Sequence, residues 1–254
     1  MGCRDWFGRG DSLSDVAFPA WRAFGPNARR LLGWEPPHDA RPRTALRIVE
    51  GQGVHWESHL ARLLSGAVSL EWDVSWLKAK EPEIADWIST AGMAVCRLHL
   101  FPDAISVRLE AIPDPCLSYR LLAMVHPLGD IRGDARARVK GLLGIWDSQA
   151  RTHAHEKLAD DTLLLWPDFT LAETTIAAIG LQLHDKLLLP PLEGRVASIA
   201  EIFELPLWAL SHGLIVQRRP IRLEEVSGGQ LWCMNAVRGL WQAEVVQLLG
   251  PERE

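Results

Sequence analysis

The segment over residues 135–175 constrains the fold of this chain more than any other. It predicts a helix over residues 141–157, a leucine-rich strand over residues 161–166, a turn and a short return strand. Lys140 stands just before the helix, and Glu173 stands near the end of the return strand. An amine and a carboxylate placed in this way can hold opposite ends of one flat cofactor.

Alternating apolar and polar residues predict antiparallel hairpins on both sides of this segment. The predicted strands cover residues 44–49, 54–57, 94–100, 105–112, 119–125, 176–183, 186–189, 214–218 and 230–234, and further helices cover residues 26–32, 57–70, 72–90 and 198–210. Strands and helices mixed in this way predict an α+β fold.

Glycine and aspartate interrupt the pattern over residues 127–136, which indicates a linker. We therefore expect three parts. They are an N-terminal extension at residues 1–40, a small α/β domain at residues 41–128 and a larger domain at residues 129–254.

The composition of the chain argues against several classes of binding partner. A net charge of -5 and the lack of a stretch rich in lysine and arginine argue against nucleic acid. No apolar run reaches about 18 residues and no signal-peptide pattern is present, so we expect no membrane partner and a cytoplasmic protein. The cysteines Cys3, Cys96, Cys116 and Cys233 are widely spaced, which favours free thiols over a metal site. A catalytic tyrosine would have to be Tyr119, the single tyrosine of the chain.

Among the five lysines of the chain, Lys140 is the one whose setting favours chemistry. The others, Lys78, Lys80, Lys157 and Lys186, lie in polar or turn segments where lysine is ordinarily solvated. Lys140 follows a short arm and precedes a helix with an apolar face, so its amine can be desolvated. Desolvation lowers the pKa of the amine, which favours Schiff-base formation and proton exchange.

Two further positions indicate an anion site. Gly194 lies in a loop before the helix predicted over residues 198–210, where free backbone N–H groups and the helix dipole favour a phosphate. Arg62 lies off the apolar face of the helix predicted over residues 57–70. Taken alone, Arg62 is either a solvated charge or a ligand for an anion.

Several short motifs are weak singly but fairly specific as an ordered set. They are HLARL at residues 59–63, KGLL at 140–143, AHEK at 154–157, ETT at 173–175, PPLEG at 190–194 and MNAVRGL at 234–240. In this order they resemble the fold-type IV pyridoxal-phosphate enzymes, which are the class IV aminotransferases and their relatives. The family includes D-amino-acid and branched-chain aminotransferases and 4-amino-4-deoxychorismate lyase.

The resemblance implies a fold and a set of partners. The fold is a two-domain, D-amino-acid aminotransferase-like architecture, with a small α/β N-terminal domain and a larger barrel-like C-terminal domain. Members are usually homodimers whose cofactor sites lie near the interface. The implied cofactor is pyridoxal 5'-phosphate, and the implied substrate is a small molecule that carries an amino group.

The resemblance also implies roles for individual residues. Lys140 would hold the cofactor as a Schiff base and move the proton of the substrate. Glu173 would keep the pyridine nitrogen protonated, and Arg62 would bind the phosphate bidentately. Backbone N–H groups complete the expected phosphate cup, and they belong to Arg195, Val196, Asn235 and Ala236. The alternatives are that Glu173 ends a strand in water and that Asn235 is a turn former.

Within the family, the likeness is greatest to the aminodeoxychorismate lyase group. It is carried by the segments at residues 44–51, 97–112 and 235–240. In that reaction Lys140 would remove the proton on the amine-bearing ring carbon, and loss of enolpyruvate from the adjacent carbon would yield 4-aminobenzoate. The hypothetical anchors for the substrate carboxylates are Arg47, Arg97 and Arg238, each of which is alternatively a surface charge.

The chain departs from the family pattern at three places. Ala178 stands where members usually carry asparagine, and Leu143 stands where asparagine or threonine is common. In the glycine loop the arginine is brought forward, directly after Gly194. Three hypotheses therefore stand, namely a lyase that forms 4-aminobenzoate and pyruvate, a transaminase of the D-amino-acid or branched-chain type, and a non-catalytic relative.

Overall fold

The computed structural model describes residues 21–26, 41–113 and 119–248. Most of the predicted N-terminal extension, the helix predicted over residues 26–32 apart from its first residue, and Cys3 and Cys116 lie outside these ranges. No helix in the described part of the chain is both long and apolar enough to cross a membrane.

The first half forms an antiparallel five-stranded sheet in the order β1-β5-β4-β2-β3. Its elements are β1 (Trp21–Phe24), β2 (Arg43–Val49), β3 (Gln52–Gly53), α1 (Trp56–Ser69), α2 (Trp76–Ser89), β4 (Met93–Leu100) and β5 (Ile105–Glu110). In β2 every second residue is buried, with Leu46 and Ile48 fully so. Both helices cover this face, and Leu63 of α1 and Ile84 of α2 are fully buried in the same core.

The predicted strand over residues 54–57 is wrong. The turn after β2 is tight, because Glu50 and Gly51 both adopt positive φ, at 52° and 75°. Strand pairing therefore ends at Gly53, and Trp56 already begins α1. The helix predicted from residue 72 begins at Trp76 instead.

The second half forms a mixed eight-stranded sheet in the order β11-β10-β9-β12-β13-β6-β7-β8. Its strands are β6 (Arg120–Val125), β7 (Asp161–Leu165), β8 (Leu171–Thr174), β9 (Ala178–Leu183), β10 (Lys186–Leu189), β11 (Ile215–Arg218), β12 (Gln230–Asn235) and β13 (Gly239–Leu248). Its helices are α3 (Gly144–Glu156), α4 (Ile199–Phe203) and α5 (Leu205–Ser211). The α+β class is confirmed.

The leucine-rich strand β7 is buried at every residue, because both of its faces are covered. Helix α3 packs on one face, where the Thr162 hydroxyl donates to the Ala150 carbonyl at 2.7 Å. On the other face Leu163 and Leu165 enter the core of the large sheet. This packing fixes the strand that leads to Glu173.

Sheet pairing alters the predicted division of the chain. The strand β6, which the sequence assigned to the small domain at residues 41–128, pairs with β13 and β7 in the large sheet. The strand β1, which fell in the predicted extension at residues 1–40, pairs with β5 in the small sheet. The change from one sheet to the other thus lies before Arg120, and the division into domains stays a prediction.

The helix predicted over residues 198–210 is two short helices, α4 and α5. Pro206 stands in the first turn of α5 and has no N–H group, so it cannot continue the hydrogen bonding of α4. The loop over residues 194–198 therefore leads into a helix of only five residues.

The packing of β7 gives a stability prediction. Leu163→Ala removes a fully buried side chain and should lower the free energy of unfolding by about 2–5 kcal/mol, measured by urea denaturation. Leu210→Ala is the matched control, because Leu210 is 77% exposed and should change stability by less than about 0.5 kcal/mol. Equal effects of the two substitutions would contradict the assigned core.

Candidate active site

One cavity gathers several of the residues that the sequence singled out. It lies where α1, the segment before α3, the end of β8 and the loop over residues 194–198 meet, so both halves of the chain contribute. Arg62, Lys140, Glu173 and Val196 are among its lining residues. Four of the predicted site residues are thereby brought together.

The backbone of Lys140 is fixed by the first half of the chain. A short 3-10 helix over Ala135–Arg138 precedes it, capped by the Asp134 side chain, which accepts from the Arg136 N–H. The Lys140 carbonyl then accepts from the Arg43 N–H at 3.0 Å. Gly141 is required next, because its φ is 107° and a Cβ there would lie 2.2 Å from the Arg41 carbonyl oxygen.

The amine of Lys140 is poised to lose its charge. Desolvation by the cavity wall lowers its pKa from 10.5 to about 8, and the positive charges of Arg62 and Arg43 act in the same direction. Glu173 and Asp147 oppose this effect. Lys140 lines the cavity, and an amine whose pKa is lowered in this way is a better nucleophile near neutral pH.

Glu173 is held by a tight turn that follows β8. The Thr174 hydroxyl accepts from the Ala177 N–H at 3.0 Å, and the Thr174 N–H donates to the Ala177 carbonyl at 2.8 Å. The next hydroxyl, of Thr175, donates to the fully buried Asp161 carboxylate at 2.5 Å and accepts from Arg151 at 3.1 Å. These hydrogen bonds fix the direction in which Glu173 leaves the strand.

The carboxyl group of Glu173 is biased toward its neutral form. Burial raises its pKa from 4.5 to about 8, Asp147 acts in the same direction, and the positive charges of Arg195 and Lys140 reduce the shift. A buried carboxyl group such as this one needs a positively charged neighbour to stabilise its ionised form. A protonated ring nitrogen is such a partner.

Arg62 reaches the cavity from α1. Its guanidinium donates to the Ala197 carbonyl at 2.5 Å, which places it against the loop over residues 194–198. Burial lowers the pKa of Arg62 to about 10, while Glu173 and Glu201 favour its charge. A desolvated guanidinium with one donor used has further N–H groups for an anion.

The loop over residues 194–198 is braced by an ion pair behind it. The guanidinium of Arg195 forms a bidentate pair with Glu201 at 2.9 Å, both side chains being 1% exposed. The N–H of Arg195 donates to the Leu192 carbonyl at 3.2 Å, so this predicted phosphate donor is already engaged. Val196 lines the cavity, and its N–H makes no backbone hydrogen bond to the described residues.

Asn235 acts as a turn former, the alternative expected for it. Its side-chain oxygen accepts from the N–H groups of Val237 and Arg238 at 3.0 and 2.8 Å. Its amide nitrogen donates to the carbonyl of Ile176, a cavity residue, at 3.3 Å. Asn235 therefore adjoins the cavity through Ile176, and neither Asn235 nor Ala236 is among the residues that line it.

The three arginines expected to anchor substrate carboxylates do not line the cavity. Arg47 pairs with Glu204 at 2.5 Å. Arg97 pairs with Glu110 at 2.7 Å on the small sheet, where its side chain is 45% exposed. Arg238 lies over the ring of Tyr119 at 5.7 Å. Each has a partner within the fold.

Tyr119 also makes its contacts within the protein core. It is buried in the core of the large sheet, and its hydroxyl donates to Asp161 at 3.4 Å. It does not belong to the residues that line the cavity. The single tyrosine of the chain is therefore placed to support the turn after Glu173, not to react.

Three ionisable cavity residues were missed by the sequence analysis, namely His126, Arg136 and Asp147. Asp147 stands in the first turn of α3, where acidic residues are common for structural reasons. His126 and Arg136 lie in or beside the segment interpreted as a linker. Composition gave no signal that separated them from ordinary surface residues.

The buried carboxyl group of Glu173 gives a pH prediction. Because its folded pKa lies above 4.5, its neutral form stabilises the fold at low pH, and this contribution is lost as the pH rises toward about 8. Urea unfolding without added cofactor should show that the wild type loses more stability than Glu173→Gln between about pH 5 and pH 8. The exposed Glu224→Gln should behave like the wild type, and parallel curves for all three proteins would contradict the assignment.

Comparison with known proteins agrees with this architecture. A fold IV-transaminase from Curtobacterium pusillum is 19% identical, with a TM-score of 0.70, over 84% of this chain and 80% of that chain. A hypothetical aminotransferase from Mycobacterium tuberculosis in its PLP-bound form is 19% identical, with a TM-score of 0.67, over 84% and 82% of the two chains. The 4-amino-4-deoxychorismate lyase from Pseudomonas aeruginosa is 20% identical, with a TM-score of 0.67, over 89% and 88%.

At these identities the structural likeness shows the fold, and the architecture expected from the resemblance is confirmed. No curated protein sequence matches the chain. The model of the family described as amino-transferase class IV matches residues 44–246. Since this match covers most of the chain, the protein belongs to the class IV aminotransferase family of fold-type IV enzymes, whose cofactor is pyridoxal phosphate.

Proposed function

We propose that this protein is a pyridoxal-phosphate-dependent lyase that converts 4-amino-4-deoxychorismate to 4-aminobenzoate and pyruvate. The observation that carries the proposal is the single cavity in which the Lys140 amine, the Glu173 carboxyl and the Arg62 guanidinium meet. The choice of a lyase is supported by the motifs at residues 44–51 and 235–240 and by similar structures described as 4-amino-4-deoxychorismate lyases, at 15–22% identity.

The residues of the cavity fit pyridoxal phosphate by their chemistry. The cofactor has an aldehyde, a basic ring nitrogen and a phosphate, and the cavity offers an amine, a carboxyl group and a guanidinium. Gly194 lets the loop over residues 194–198 pack directly on the cavity residue Trp166, because a Cβ there would lie 2.8 Å from the Trp166 ring. Lys140 would hold the aldehyde carbon, Glu173 the ring nitrogen, and Arg62 with the Val196 N–H the phosphate.

The bound cofactor supplies an electron sink for the pair of electrons left when a C–H bond of the substrate is broken. The chain supplies the proton transfer, because a pKa near 8 lets the Lys140 amine accept a proton at neutral pH. Glu173 would keep the ring nitrogen protonated, and the walls around Ile131 and Trp166 would limit the entry of water.

Two alternatives to the lyase function are a transaminase and a non-catalytic relative. A transaminase of the D-amino-acid or branched-chain type uses the same three residues but needs a 2-oxo acid as acceptor. A non-catalytic relative is suggested by Ala178 and Leu143, which are apolar where family members carry polar side chains. We also propose that the protein is cytoplasmic and forms a homodimer. Light scattering of the purified protein would test the homodimer.

The role of Lys140 can be tested by chemical trapping. Purified protein with pyridoxal phosphate should absorb visible light, and borohydride should fix the cofactor to the peptide that contains Lys140, as read by mass spectrometry. Lys140→Ala should lose both signals, whereas Lys157→Ala, which changes an exposed lysine, should keep them. A colourless wild-type protein that takes up no cofactor would rule out both the lyase and the transaminase.

The reaction itself can be tested by its products. With 4-amino-4-deoxychorismate alone, the lyase should release 4-aminobenzoate and pyruvate in equal amounts, measured by chromatography. No 2-oxo acid should be needed. Activity that appears only with an amino acid and a 2-oxo acid would overturn the lyase proposal in favour of a transaminase.

The role of Arg62 can be separated from general damage by comparing two ligands. Arg62→Ala should weaken binding of pyridoxal phosphate by about 10–100-fold, since a charge-assisted hydrogen bond contributes about 1.5–3 kcal/mol. Binding of pyridoxal, which lacks the phosphate, should change little. Arg22→Ala is the control, because Arg22 is exposed on β1. Equal losses for both ligands would contradict phosphate binding.

A further inference from the structure

Asp147 is an ionisable group of the cavity to which the family resemblance assigns no role. It stands in the first turn of α3, seven residues after Lys140, and lines the same cavity as Lys140 and Glu173. Its carboxyl group makes no hydrogen bond to the described residues, although it is only 25% exposed. A carboxyl group with unused hydrogen-bonding capacity at a cavity wall can act on a ligand there.

The position of Asp147 is set by Arg43, at the start of β2. One guanidinium nitrogen of Arg43 lies 3.7 Å from a carboxyl oxygen of Asp147. The Arg43 side chain lies flat on the segment that enters α3, where two glycines make room for it. A Cβ at Gly144 would meet the guanidinium at 2.9 Å, and a Cβ at Gly141 would meet the side-chain Cγ at 2.7 Å. The segment that carries Lys140 thus also holds the Arg43–Asp147 pair.

The other ionisable groups of the cavity either are unsuited to donate a proton near neutral pH or already have a proposed role. Burial lowers the pKa of His126 to about 4, and its Nδ1 accepts from the Leu128 N–H at 3.1 Å. Arg136 keeps its proton and pairs with Asp134 at 2.6 Å. Lys140, Glu173 and Arg62 already have roles in the proposed function. Asp147 is the remaining acid in the described cavity wall.

We propose that Asp147, positioned by Arg43, is the general acid that protonates the departing enolpyruvate oxygen. This inference rests on the proposed lyase function. Lys140 takes the proton from the amine-bearing ring carbon, and the electron pair of that C–H bond forms the new double bond to the neighbouring ring carbon. The bond from that neighbouring carbon to oxygen breaks with its electron pair going to oxygen, and Lys140 later releases its proton to water. The Asp147 carboxyl group gives that oxygen a proton, so enolpyruvate leaves as a neutral enol group and becomes pyruvate, and water returns a proton to Asp147.

The surroundings of Asp147 allow it to carry a proton under working conditions. Burial raises its pKa from 3.8 to about 6, and Asp161 acts in the same direction. Three positive groups face it and favour the carboxylate, namely Arg43 from β2, Arg151 from α3 and Lys140. An acid whose pKa lies near the operating pH is effective in general acid catalysis, which contributes about 100- to 10,000-fold.

The test compares Asp147→Asn with the wild type loaded with pyridoxal phosphate, using 4-amino-4-deoxychorismate in deuterated water. The variant should form 4-aminobenzoate at least about 100-fold more slowly, with unchanged visible absorption of the cofactor. Recovered substrate should carry deuterium at the amine-bearing carbon, because Lys140 still exchanges that proton while departure of the oxygen stalls. Asp147→Glu should restore part of the rate, and Asp185→Asn, an exposed control, should match the wild type.

The outcomes separate this inference from the function on which it rests. Wild-type protein that forms no 4-aminobenzoate overturns the proposed function and the inference together. A wild-type rate in Asp147→Asn overturns the inference alone. Loss of the cofactor absorption together with the rate would show that Asp147 only supports the cavity wall, which also overturns it. Slow product formation with deuterium in the recovered substrate supports the acid role.

Discussion

The site depends on holding basic and acidic side chains out of water around one cavity. Removing an ionisable group from water is costly, and the cost is visible in the pKa values, because that of Lys140 falls and that of Glu173 rises until both lie near 8. Each group therefore regains its charge at little cost beside an oppositely charged partner. A ligand that carries both a basic nitrogen and a phosphate would satisfy Glu173 and Arg62 at once, as we propose for pyridoxal phosphate.

The rigidity of the site comes from polar pairs placed behind it. Asp161, under the turn after β8, is bound by the Thr175 hydroxyl, and Glu201, under the loop over residues 194–198, is bound by Arg195 and Arg218. Buried charges of this kind add little net stability against an apolar packing, but they are strongly directional. They fix two loops whose backbone would otherwise be free to move.

Local sequence patterns predicted most strands and helices. They also singled out Lys140 and Glu173, which both line the cavity. Lys140 and Glu173 flank a helix and a strand with clear periodicity. The structure differs from the sequence prediction at residues whose partners come from a distant part of the chain. The predicted anchor Arg47 turns to Glu204 from a different part of the chain, and no local pattern specifies such a partner. Asp147 was overlooked because an acidic residue in a first helical turn also has an ordinary electrostatic explanation.

We expect the departure at Ala178 to bear on substrate more than on cofactor. Ala178 is 2% exposed and packs against Leu187 and Met234, so apolar contacts hold the start of β9 in place of a side-chain amide. The turn before it is held independently, by the Thr174 hydroxyl and by the Asn235 amide on the Ile176 carbonyl. The backbone that presents Glu173 therefore does not need a polar side chain at position 178. What the alanine removes is one hydrogen-bonding group from the cavity wall, and such a loss changes which substrate groups can be recognised there.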